Sequence, residues 1–118
     1  MNVYDQAHEL ARTLKESEEY KQYVRLKEIA YQDTTNKALL DEYKHLRYRM
    51  QAMVAAGQRP DLAGEDFQRM QKIAQVLQFN QDCSAYLLAE FRFQKMLADI
   101  YKILADVAGI DLDMLTQN

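Results

Sequence analysis

The chain is expected to be all-α, a bundle of about five helices with long antiparallel members, and three observations lead there. Three glycines and one proline in 118 residues are too few to turn the corners of a sheet protein of this size. No alternating run of Val, Ile and Thr stands between turn signals, as a strand would require. Apolar residues recur instead at steps of three and four, and strong helix formers fill the intervals. The length suits a single domain, residues 1–118, with room for one core.

Val3, Ala7, Leu10 and Leu14 form the first stripe, and Tyr23, Leu26, Ile29 and Ala30 the second. On one continuous helix these stripes would lie about half a turn apart. Between them Ser17 precedes two glutamates, Glu18 and Glu19, the pattern of an N-cap followed by acids at the positive end of a helix dipole. A corner is therefore expected at Ser17, between helices over about 3–16 and 18–32. Asp33, Thr34, Thr35 and Asn36 offer capping side chains before a third helix, about 35–56. Its positions Leu39, Tyr43, Leu46, Met50 and Met53 make a heptad seam that needs a partner helix.

Gly57, Pro60 and Gly64 read as one loop. A fourth helix over about 61–79 follows, with Phe67, Met70, Ile73, Ala74 and Leu77 on one face. Asn80 and Asp82 supply caps for the last helix, about 81–108, and Gly109 suits its C-terminal stop. Tyr86, Phe93, Leu97, Ile100, Leu104 and Val107 run along that helix. Leu87, Leu88, Phe91, Met96, Tyr101 and Ile103 widen the stripe until only a narrow polar face is left. Such a helix is expected to be buried on most sides. Residues 110–118 alternate apolar and acidic groups at first, and read as a tail that frays or docks on a neighbour.

Charge and composition exclude several functions. A net charge of −3 gives no electrostatic footprint for nucleic acid or an anionic membrane. One cysteine excludes an internal disulfide framework and a cysteine-based zinc site within one chain. No apolar run reaches the roughly 20 residues of a membrane span. Asp5 and Glu9 stand where a signal peptide would carry positive charge and then an apolar block, so the expected location is the cytoplasm.

Glu42-x-x-His45 matches the ligand spacing of carboxylate-bridged metals in helical bundles, and Asp5-x-x-His8 nearly does. Register turns His45, Asp5 and His8 away from the apolar stripes, so no metal and no cofactor is expected. Cys83 lies in the first turn of the last helix, where a dipole lowers a thiol pKa. It is read either as a reactive thiol or as a small buried hydrophobe. No nucleophile elbow, phosphate loop or dinucleotide fingerprint is present, so no catalytic residue is assigned.

The segment 37–59 carries Lys37, Lys44, Arg47, Arg49 and Arg59, interleaved with Tyr43 and Tyr48. It supports an alternative reading as an RNA or ribonucleoprotein accessory. Asp33, Asp41 and Glu42 leave the neighbourhood an excess of only two positive charges, and a solvated face with ion pairs within the helix is favoured. The leading expectation is a non-catalytic helical interaction module that self-associates, most simply as a dimer. Its candidate interface residues are Leu39, Tyr43, Leu46, Met50, Tyr86, Phe91, Phe93, Leu97, Ile100 and Leu104.

The opening Val3-Tyr4-Asp5-x-Ala7-x-x-Leu10, then Leu14-Lys15-x-Ser17-Glu18-Glu19-Tyr20, resembles the YlbF/YmcA family of small helical bacterial proteins. Ala7, Leu10, Lys15, Ser17, Glu19 and Tyr20 carry the match. Asp33, the glycine loop at 57–64, Tyr86-Leu87-x-Ala89-Glu90, Leu97 and Ile103 extend it over about residues 3–108. The resemblance implies an oligomeric, cytoplasmic, all-helical protein without catalysis of its own. It also implies other regulatory proteins as partners, in competence, sporulation and biofilm formation. Family members act in a complex that influences messenger-RNA processing and has been linked to iron–sulfur clusters. Cys83 is the only cysteine here, whereas such clusters take four thiolates, so the resemblance is to the YheA-like branch rather than to cluster-binding relatives.

Overall fold

The structure, a computed structural model, describes residues 2–109; the tail expected to fray or dock lies outside the described residues. Among these, five helices and no strand are found: α1 Val3–Glu16, α2 Glu18–Gln32, α3 Thr34–Ala55, α4 Glu65–Gln78 and α5 Gln81–Ala108. No helix among the described residues is long and apolar enough to cross a membrane.

Local capping chemistry sets the corners. Asn2 opens α1 by accepting from the Asp5 amide at 2.8 Å. Ser17 closes α1 and opens α2. Its backbone N–H and its hydroxyl both donate to the Leu14 carbonyl, at 3.2 and 2.6 Å, and its oxygen accepts from the Tyr20 amide at 3.2 Å. The extended backbone of Ser17, at φ −69 and ψ 149, cannot continue a helix, so the chain turns there. Asp33 likewise ends α2 and caps α3 through the Asn36 amide at 3.0 Å. Asn80 caps α5 through the Cys83 amide at 3.0 Å, and Gly109 ends it in the left-handed conformation at φ 74.

One boundary differs from expectation: α4 begins at Glu65, not near residue 61. The Asp61 side chain accepts from the Ala63 amide at 3.1 Å, and its carbonyl accepts from Gly64 at 3.0 Å. These bonds offer the backbone a turn that competes with the helix. A Cβ at Gly64 would stand 3.1 Å from the Asp61 carbonyl oxygen, a tight approach that favours glycine in that turn.

Packing follows from which residues touch. Tyr20 meets Phe93 while Tyr31 meets Tyr86, so α2 runs antiparallel to α5. Glu42 binds Arg69 and Arg49 binds Asp66, so α3 and α4 are antiparallel. Asn36 lies beside Asn80 and Arg47 beside Glu90, so α3 and α5 run the same way. The core gathers Ala30, Leu40, Leu46, Ile73, Leu77, Cys83 and Tyr86, with Tyr23, Leu26, Tyr31, Leu39, Tyr43, Met70 and Leu87 packed around it. The α3 seam therefore finds its partner helix within the same chain.

The molecule is a flat slab of 50 × 36 × 16 Å. With helix axes packing about 8–10 Å apart, a thickness of 16 Å leaves room for no more than two helix layers. Its radius of gyration, 17.0 Å, exceeds the roughly 13.5 Å of a compact chain of this length. A slab this thin leaves helices bare on their broad faces, and α5 is the main case. Contrary to expectation, it is not buried on most sides: Phe91 is 64%, Ile103 65% and Val107 89% exposed. For Ile103 and Val107 the reason is length. At about 1.5 Å per residue, α2 covers only the first half of α5.

Candidate functional site

The most highly organised chemistry in the fold is a cluster of charged and phenolic groups where α2, α3 and α5 converge. Glu90 on α5 is 4% exposed, the one charged residue among the buried ones described. Its carboxylate accepts from the Tyr86 hydroxyl at 2.9 Å and pairs with Arg47 at 3.0 Å and Lys44 at 3.2 Å. Lys44 also donates to the hydroxyls of Tyr86 and, at 3.0 Å, Tyr31. Its ammonium lies 4.6 Å from the centre of the Tyr86 ring. The Tyr31 hydroxyl completes the chain by donating to Asp41 at 3.3 Å.

Burial pushes the Glu90 carboxyl upward, but Tyr86, Arg47 and Lys44 together outweigh it and hold it below the usual glutamate value. Lys44 is opposed by burial too, yet Tyr31 and Glu90 keep its ammonium above the ordinary lysine value. Burial, reinforced by the Glu90 charge, raises the Tyr86 phenol. Among the described residues every buried side-chain nitrogen or oxygen has a hydrogen-bond partner. The cluster thus directs its polar atoms at one another and joins three helices. Sequence reasoning missed it, although the signal exists: Glu90 lies one turn beyond Tyr86 on the core face, and Lys44 and Arg47 lie one turn apart on α3.

That arrangement gives no support to the RNA-accessory alternative for segment 37–59. Lys44 and Arg47 turn inward onto Glu90, and Arg49 pairs with Asp66 of α4 at 3.0 Å. These three basic groups are engaged between helices rather than within α3; Lys37 and Arg59 remain exposed, too few to form a phosphate-binding row. The interface candidates divide as well. Leu46 and Tyr86 are buried in the chain's own core, so they are corrected to core residues. Leu39 and Tyr43 pack against that core, and Met50 lies half-buried in the cleft between α3 and α4. Phe93 is stacked on Tyr23 at 5.3 Å. Leu97 and Ile100 are half-buried, while Phe91 and Leu104 are exposed. Candidates for an intermolecular face are thus concentrated on distal α5.

Of the residues carrying the resemblance, Ala7, Leu10 and Lys15 lie exposed on α1, Ser17 makes the corner, and Tyr20 packs edge-on to Phe93 at 5.4 Å. Glu19 lines a groove of about 520 Å³ between α2 and α5, with Leu26, Ala85, Leu88 and Arg92 among its walls.

The remaining chemical candidates do not converge. Asp5, His8 and His45 are exposed. Glu42 is gripped by Arg69 through two bonds, at 2.6 and 3.0 Å, and that hydrogen bonding lowers its carboxyl pKa. Cys83 is buried, and burial followed by the charges of Asp82 and Asp33 raises its thiol. Of the two readings offered for it, the structure places it as a small core side chain.

Comparison with known proteins adds family evidence to this geometry. A family model described as control of competence regulator ComK, YlbF/YmcA, matches residues 3–107. A UPF0342 protein of Caldicellulosiruptor bescii is 35% identical over 105 residues, spanning 89% of this chain and 87% of its own. One from Caldicellulosiruptor saccharolyticus is 34% identical over 113 residues, spanning 96% and 92%. A third, from Halothermothrix orenii, is 33% identical over 118 residues, spanning 100% and 96%.

Proposed function

The chain belongs to the YlbF/YmcA family, and on that premise we propose that it is a cytoplasmic, non-catalytic regulatory protein that works as a homo-oligomer. The observation that carries this reading is the bare apolar face of distal α5, with Ile103, Leu104 and Val107 in solvent. The accessible surface of the chain is 9088 Å², against the roughly 6,700 Å² typical of a compact monomer of this mass. The excess is well above the roughly 800 Å² per partner that a standard stable interface removes. Part of that surface is apolar, since Ile103, Leu104 and Val107 stand exposed together on one face, and exposed apolar patches mark places where another chain sits. The regulatory part rests on the family description, which names control of a competence regulator. The bare helical face of distal α5 is the surface this reading assigns to protein contact.

Light scattering over the micromolar range tests the assembly. A mass of at least twice 13.9 kDa is expected. Leu104→Asp is expected to lower that mass while leaving helicity intact, since the side chain is exposed within one chain and apolar only to a partner. A wild-type protein that stays monomeric throughout would overturn the reading.

A further inference from the structure

We propose that distal α5 is covered by α1 of a second copy, and that the exchange is reciprocal. This rests on the homo-oligomer reading and names the surface it uses. Helix α5 has 28 residues, about 42 Å, whereas α2 has 15, about 22 Å. Their ring contact is last made where Tyr20 meets Phe93, and the about 22 Å from there to residue 108 is only partly covered: Leu97 and Ile100 are half-buried, while Ile103, Leu104 and Val107 are exposed. Helix α1 has 14 residues, about 21 Å, and so matches the length of this incompletely covered stretch.

Among the described residues, none on α1 is buried, although Val3, Ala7, Leu10 and Leu14 make a continuous apolar stripe. Phe93, Leu97, Ile100, Leu104 and Val107 make the matching stripe on α5, with the same steps of four and three. Two such stripes interlock as ridges and grooves. The charged rows lie opposite the stripes: Asp5, Glu9, Arg12 and Glu16 on α1, and Lys95, Asp99 and Asp106 on α5. Seating one stripe on the other therefore leaves those charges in water, where they cost nothing to keep.

The extended Ser17, held by three hydrogen bonds, separates α1 from α2, and within the chain α1 packs on α2 rather than running closely along α5. A second copy is the fitting occupant because each chain carries both the short stripe and the rod that needs it. A two-fold exchange then covers two α1 stripes and two α5 rods at once and closes on itself.

The test is cross-linking between two full-length variants, Leu10→Cys with one mass tag and Leu104→Cys with another, co-refolded and treated with a short bismaleimide. Both positions are exposed in the single chain, and helicity by circular dichroism verifies each fold. Wild type, whose one cysteine is buried, is the blank. A product joining the two tags is expected. An oligomer by light scattering without that product overturns the exchange and leaves the homo-oligomer reading standing. A monomer by light scattering overturns both. A doubly substituted chain that links only within itself also overturns the exchange, because its own α1 would then be the cover.

Discussion

Glu90→Gln is the sharpest perturbation of the fold. It keeps the shape of the side chain and removes the charge on which Lys44 and Arg47 converge. Removing one partner from a fully buried ion pair typically costs about 3–5 kcal/mol, because the survivor is left charged in a poor solvent. Here the Lys44 and Arg47 side chains retain 23% and 32% exposure, so water recovers part of that penalty. A loss of about 2–3 kcal/mol is expected. For a domain of this size that lowers the melting temperature by roughly 8–12 °C.

Urea unfolding followed by circular dichroism, at one fixed protein concentration, measures the loss directly. The pH dependence gives a second constraint. The folded carboxyl titrates below its unfolded value of about 4.3, so the folded state binds fewer protons there. The contribution of the cluster is full above that unfolded value and is lost as pH falls through the folded one. The gap between wild type and variant should therefore be widest at neutral pH and shrink below about pH 4. A gap under about 0.5 kcal/mol at neutral pH, or one undiminished in acid, would refute the assigned role of the cluster.

Two further outcomes follow from local geometry. Ser17→Ala removes the side-chain oxygen that accepts from the Tyr20 amide and should destabilise the protein by about 1 kcal/mol in thermal melts; no change would mean that the corner is held by other contacts. Cys83, buried and with a raised thiol pKa, should react with a disulfide reagent far more slowly than free cysteine, and should reach the free rate in denaturant; fast reaction in the native state would contradict its core placement.

The sequence alone determined where helices begin and end, with the start of α4 as the exception. The physical reason is that capping is local: Ser17, Asp33 and Asn80 each satisfy an amide three residues ahead, whatever the rest of the chain does. Asp61 misled the α4 boundary because its turn competes on equally local terms. Periodicity also identified the apolar face of each helix. It did not say what would cover that face, because cover depends on helices far away in sequence. Only the tertiary structure put Leu46 and Tyr86 in the chain's own core while leaving Leu104 and Val107 bare on the last helix. Only the tertiary structure turned Lys44 and Arg47, which read as a solvated basic face, inward onto Glu90. A charge pairs with what stands opposite it in space, and an apolar stripe is buried only as far as its neighbour is long.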